Sequence, residues 1–377
     1  MNFDFDKTEI AFREKIKELF GPDSKADLAN LQNENVMEVR KLTLKWLKTL
    51  AQAGYIACRL DDEKNAVNLT VTREALAAIS PSLFLSVELN ARVFAPLIAF
   101  YGTPDQQEKI LLPLKNGALI GTIALSERGM NIENDPLETI GVFSDNGFRV
   151  SGSKGHVVNG PIADWIAVAG RLGDEIAFFL IKRDQKGLTI GQRLSTLGYN
   201  GVTISSVTLE DCHVPSDSII GPFQGEEQLR NVRKWEDRAF TVAGLGQIKR
   251  SFETALGYAK KHISGGKPII AYQEVGFKLA EMLTLLQTAQ LLAYRAAWME
   301  EKGDKEEAVL THCAKVFCTE SAEKVASYAM QIMGQQGYIS GNPAEQGYRE
   351  AKYLQIAGTS SEISRMKIAD KVLAIDE

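Results

Sequence analysis

Histidine and cysteine are scarce in this chain, with four of each among 377 residues. Cys58, Cys212, Cys313 and Cys318 are scattered, with no CxxC or Cys/His spacing, so they read as reduced thiols and no metal-ligand set is assigned. Positive charge is not in excess either. Charged residues make up 24% of the chain and the net charge is −5, which leaves no basic surface for a nucleic-acid partner. No apolar run is read as reaching the roughly 18 residues that a membrane span needs. The opening "MNFDFDKTEI" has neither the basic nor the apolar part of a secretion signal. Repeats and low-complexity segments are missing as well. These absences lead to the expectation of a soluble, cytoplasmic protein, and the length allows a large core in two or three structural units.

What is present is a change of period along the chain. Through "MEVRKLTLKWLKTLAQAGYIA", Val39, Leu42, Leu44, Leu47, Leu50 and Ala51 recur at three- and four-residue steps, the spacing of an amphipathic helix. From about residue 120 to 220 the period falls to two. Asn146-Gly147 offers a hairpin turn, and "ADWIAVAGR", "EIAFFLIKR" and "GVTISSVTLEDCHVP" are strand-length runs rich in Val, Ile, Phe and Thr. Pro215 and Pro222 close that zone. Beyond it the helical period returns in three long segments, which predicts a bundle. The expected class is α+β, with an N-terminal helical domain over 1–118, a middle β-domain over 119–222 and a C-terminal four-helix bundle over 223–377.

Glu236 stands out on helical geometry alone. Three- and four-residue steps place it with Val232, Ala239, Phe240 and Ala243 on one apolar stripe, and burial there would raise its pKa toward that of a general base. The same spacing also suits a structural acid bonded to Arg233 or Arg238. Asp237 has Arg233 four residues before it and is expected to pair with it. The small residues Ala239, Ala243, Gly244 and Gly246 would thin the helix where a ligand might approach.

Several motifs, in order, resemble the acyl-CoA dehydrogenase family over essentially the whole chain. They are "FYGTPDQQEKILLPLKNGALIGTIALSE", "RVSGSKGHVVNGPIADWIAVAGR", "VTLEDCHVPSDSIIG" and "QIMGQQGYISGNPAEQGYREAKYLQI". The resemblance implies FAD bound between the β-domain and the C-terminal helices, in a homotetramer or related oligomer whose subunits share the cofactor site. It implies a glutamate that removes the α-proton of an acyl thioester, carried by coenzyme A or a carrier protein. An electron-transfer flavoprotein or other acceptor is the implied partner. The family's usual base lies in a Y-E-G-T-S-E-I pattern; here "YLQIAGTSSEI" puts Ala357 and Gly358 where the family has Tyr and Glu. Isovaleryl-type members carry a small residue there and take the base from an earlier helix, and anchoring on Gly246 and Tyr258 puts Glu236 at that position.

For the cofactor, the resemblance assigns Leu125 and Ser126 of the loop, His156 and Val158 of the strand motif, and His262 where the family has a phosphate-binding arginine. It adds Gln331, Gly334 and Gly337 of the helix end and its turn, and Ser360 after the vacated base position. Met130, Asn131 and Ile132 replace the small residues of the family's glycine-rich loop, and "CRLDDEKNAVNL" replaces its P-x-x-Y-G-G segment. Two rival expectations accompany these departures. One is an inactive or flavin-poor subunit that pairs with an active relative. The other is a flavin oxidase or monooxygenase acting on a tethered substrate.

Overall fold

The computed structural model describes residues 7–60, 66–129, 135–220 and 225–373. Helices come first: α1 (Lys7–Glu18), α2 (Ser24–Asn30), α3 (Val36–Gln52), α4 (Ala66–Ile79), α5 (Pro81–Glu88) and α6 (Ala95–Tyr101). Asn35 caps α3 by accepting from the Met37 N–H. Its buried residues Val39, Thr43, Trp46, Leu47 and Leu50 then follow the helical period that the sequence showed. A π-helical turn over Leu89–Phe94 joins α5 and α6 into one helix, Pro81–Tyr101. That helix is long and apolar enough to cross a membrane, against the sequence expectation, but 89% of its most apolar window is buried inside the fold. The short helices α7 (Pro104–Gln106) and α8 (Leu112–Lys115) lead into the sheet.

Eight strands follow: β1 (Gly121–Ala124), β2 (Ile140–Ser144), β3 (Gly147–Val158), β4 (Trp165–Leu172), β5 (Glu175–Lys182), β6 (Leu188–Ile190), β7 (Ile204–Pro215) and β8 (Ile219–Ile220). They run in the order β6-β7-β3-β2-β4-β5-β8, with β1 parallel to β4. The β2–β3 hairpin closes with Ser144 opposite Gly147, so its turn residues are Asp145 and Asn146, one position earlier than the expected Asn146-Gly147. Gly147 is needed on the strand side, because a Cβ there would meet the Val214 carbonyl at 2.2 Å.

The third zone is α9 (Gly225–Lys261), a small β9–β10 hairpin (Ile263–Ser264, Lys267–Pro268), α10 (Gln273–Glu301), α11 (Glu307–Met333), α12 (Pro343–Ile356) and α13 (Ser361–Leu373). The 37-residue α9 is the spine of the molecule, touching α4, α10, α11 and α12. Gly244 and Gly246 serve that packing. A Cβ on Gly246 would lie 2.3 Å from the Ala77 Cβ of α4, and one on Gly244 would lie 3.1 Å from the Cys318 backbone of α11.

Candidate active site

Glu236 lies on α9 where the stripe expected from the sequence is realised: Val232, Ala239, Phe240 and Ala243 are all buried. Its own side chain keeps a strip of accessible surface. Burial nonetheless pushes its carboxyl up to about 7, and the neighbouring charge of Asp237 adds to the rise. The fields of Lys315 and Arg233 pull back by less. Arg238 is no partner for it, being bonded to Glu300 at 2.6 Å and to Glu307.

Asp237 does not follow the i,i+4 expectation. Instead of Arg233 it takes Lys315 of α11, whose Nζ donates to Asp237 Oδ1 at 2.6 Å. The helical turn carries Asp237 to the α11 side of α9, where the buried ammonium of Lys315 needs a carboxylate. Burial lowers the Lys315 pKa, and Asp237 counters that shift. The pair also fixes the turn after α12. Lys315 Nζ donates to the Ala357 carbonyl at 2.9 Å and to the Thr359 carbonyl, while the Thr359 N–H donates to Asp237 Oδ1 at 3.0 Å.

Gly358, the vacated base position, sits in the middle of that clamp at φ +63°. A Cβ on it would stand 3.0 Å from Asp237 Oδ1 and 3.0 Å from the Phe240 ring. Its missing side chain therefore has a local backbone and packing cause, and the space it leaves borders Asp237, the residue after Glu236, and Phe240, one helical turn beyond it. Tyr353 completes the wall. Its ring meets Phe240 edge-on at 5.9 Å and Tyr199 at 5.4 Å, and burial together with the Glu236 charge raises its pKa.

The remaining predicted positions fall into two groups. In the sheet, the Leu125 carbonyl accepts from Lys154 Nζ at 3.0 Å and the Ser126 carbonyl from the Gly155 N–H at 3.0 Å, which holds both beside exposed His156. Val158 lies two residues further along β3. It is buried and stands opposite Ile204 in the register, beyond a shift between Lys154 and Val157. In the helical region, Gln331 and Gly334 are exposed at the end of α11, while Gly337 is buried against Met330. His262 follows the last residue of α9 and stacks on Tyr258 at 4.7 Å. Met130, Asn131 and Ile132 lie outside the described residues. Among the described residues there is no cluster of three metal-ligating side chains.

Two stretches of the chain match models of one family. Residues 122–212 match "Acyl-CoA dehydrogenase, middle domain", and residues 235–373 match "Acyl-CoA dehydrogenase, C-terminal domain". The chain belongs to the acyl-CoA dehydrogenase family. It is 28% identical over 348 residues to benzylmalonyl-CoA dehydrogenase of Aromatoleum aromaticum, covering 89% of this chain and 91% of that one. It is also 28% identical to the mitochondrial short-chain specific acyl-CoA dehydrogenase of Homo sapiens, covering 87% of this chain and 82% of the relative. In fold it resembles butyryl-CoA dehydrogenase from Megasphaera elsdenii, with a TM-score of 0.89 at 23% identity over 99% of this chain and all of that one. The prolyl acyl carrier protein oxidase AnaB superposes at 0.86 with 23% identity, covering 98% of this chain and 100% of that one.

As a member of that family the protein is an FAD-dependent oxidoreductase of acyl-CoA dehydrogenase type. The residues after the vacated base fit such a cofactor, because the hydroxyls of Thr359 and Ser361 are buried with no hydrogen-bond partner. Ser360, the expected contact, has its hydroxyl turned to accept from the Ile363 N–H at 3.3 Å, at the start of α13. Lys315, Tyr199 and Tyr353 were missed by sequence reasoning. For Lys315 there was a signal, a single lysine on a helix face otherwise made of Thr311, Ala314, Cys318 and Ala322. For the tyrosines there was none.

Proposed function

We propose that this acyl-CoA dehydrogenase family member oxidises the Cα–Cβ bond of an acyl thioester with Glu236 as the base. The observation that carries the reading is a carboxyl on an apolar face of α9, raised to about 7, whose neighbour Asp237 clamps the turn at Gly358. A base of that pKa is about half ionised at pH 7 and is strong enough to take a proton. Bound FAD supplies the acceptor for the β-hydride. The chain's own part is to hold Glu236 on an apolar face, to fix its height through the Asp237–Lys315 pair, and to wall the site with Phe240, Tyr353 and Tyr199. Thr359 and Ser361 would donate to the cofactor, with Leu125, Ser126 and His156 on the sheet side. His262, Gln331, Gly334 and Gly337 would meet its phosphate end, contributed to a neighbouring copy in a homo- or hetero-oligomer. The thioester carrier is coenzyme A or a carrier protein, and an electron-transfer flavoprotein or other acceptor would be the partner that takes the electrons.

Two measurements test this. Glu236→Gln keeps size and removes the proton acceptor, so flavin should stay bound while substrate-dependent bleaching slows by about 10²–10⁴. Bleaching at the wild-type rate sinks the assignment. Across pH, wild-type kcat/KM should rise through about 7 as Glu236 ionises. A colourless protein that takes up no added FAD would favour the partner-subunit reading instead.

A further inference from the structure

Lys154 and Glu127 form an ion pair at 2.6 Å, and their side chains are only 1% and 2% exposed. A pair buried that deeply is a weak source of stability, because both charges have lost their water. What it does is tie three segments of the β-domain together. The Glu127 carboxylate accepts from Lys154 Nζ of β3, from the Thr139 hydroxyl at 2.5 Å and N–H at 2.9 Å, and from the Glu138 N–H at 2.5 Å. Burial works against its charge, but these donors outweigh it and lower the Glu127 pKa. Burial pulls Lys154 down to about 8 while Glu127 raises it, so the ammonium is kept at neutral pH.

The stretch that the pair fixes lies beyond the ladder. β1 ends at Ala124, and Leu125, Ser126 and Glu127 continue outside any strand. Lys154 Nζ also donates to the Leu125 carbonyl, and the N–H of Gly155 donates to the Ser126 carbonyl, each at 3.0 Å. On β3, Gly155 and His156 fall in the register shift between Lys154 and Val157, where pairing with β7 lapses. Two stretches outside regular pairing therefore share one buried anchor.

The outer side of these stretches is open. Ser126 and His156 are exposed, and a Cβ on Gly155 would meet nothing within 4 Å. Ser126, Gly155 and His156 make a shelf that a flat ring could approach, backed by the buried pair.

We propose that Lys154 is a positioning residue for the cofactor, which with Glu127 fixes this shelf at the height where FAD meets it. Being buried, Lys154 acts through the Leu125 carbonyl and touches no reacting atom. This role rests on the reading that Leu125, Ser126 and His156 face FAD. FAD dissociation constants of the flavin-stripped full chain, measured by fluorescence titration, test it together with melting temperatures of the same flavin-free samples. Lys154→Met removes the tether and strands the Glu127 carboxylate, so affinity and melting temperature should both fall. Adding Glu127→Gln removes the stranded charge, and the melting temperature should return close to that of the wild type. The Leu125 carbonyl still lacks its donor in the double variant, so FAD should stay bound at least about tenfold more weakly than by the wild type. A pair with a merely structural role would recover both properties together, and that result overturns the proposal. Gly155→Leu tests the underlying reading. Its side chain would enter open space, so it should leave melting unchanged and weaken FAD at least about tenfold by occupying the shelf. Undiminished FAD binding by Gly155→Leu would mean that the shelf does not face the cofactor, and the reading and the proposal would fall together. Weakened binding by Gly155→Leu with wild-type affinity in the double variant would remove the positioning role alone.

Discussion

Replacing Glu236 by Gln should stabilise the protein at alkaline pH while abolishing its chemistry. The carboxyl rises from 4.5 to about 7 because burial and Asp237 disfavour its charge. A raised folded-state pKa means that the native state binds more protons than the unfolded chain between those two values. Stability therefore falls as pH rises from about 4.5 to about 7 and stays at the lower level above that. At about 1.4 kcal/mol per pKa unit, the deficit at pH 8 is about 3 kcal/mol as an upper figure. Glutamine is a neutral isostere that escapes this cost. At pH 8 the variant should melt roughly 3–6 °C above the wild type, and near pH 4.5 the two should melt together. Differential scanning fluorimetry on flavin-free protein, across pH 4.5–8.5, reads both limits. If the variant is instead less stable at pH 8, Glu236 is a structural acid held by a cation. The reasoning that makes it a strained base then fails, whatever the activity shows.

Other perturbations address the clamp and the cofactor. Lys315→Met leaves Asp237 buried without its cation and should cost about 3–5 kcal/mol in urea unfolding, whereas adding Asp237→Asn to it should recover part of the loss. Gly358→Ala forces a side chain into φ +63° and into 3.0 Å contact with Asp237 and Phe240, so a loss of about 1–2 kcal/mol is expected. The same crowding predicts that Gly358→Glu in the Glu236→Gln background fails to restore bleaching, and recovery of activity would contradict the geometry of the turn. If His262 meets the cofactor phosphates, His262→Arg should slow FAD loss on dilution, and an unchanged dissociation rate would remove it from that role. Solution mass under native conditions should exceed the 41.5 kDa of one chain if the cofactor site is shared between copies.

The sequence by itself determined the order of helices, strands and helices, because the period of apolar residues is a local property written into each segment. It also marked Glu236, since an acid on an apolar stripe of a long helix is visible from spacing alone, and its motifs carried the family. The tertiary structure decided what surrounds that acid. Asp237 and Arg233 look like partners along the helix, but Lys315, 78 residues away in sequence, takes Asp237 because a buried ammonium must find a carboxylate. Gly358 looked like a gap left for a relocated base, and only the fold shows a left-handed turn wedged between Asp237 and Phe240. Which charges are paired and which are stranded depends on contacts between segments distant in sequence, and no local period encodes them.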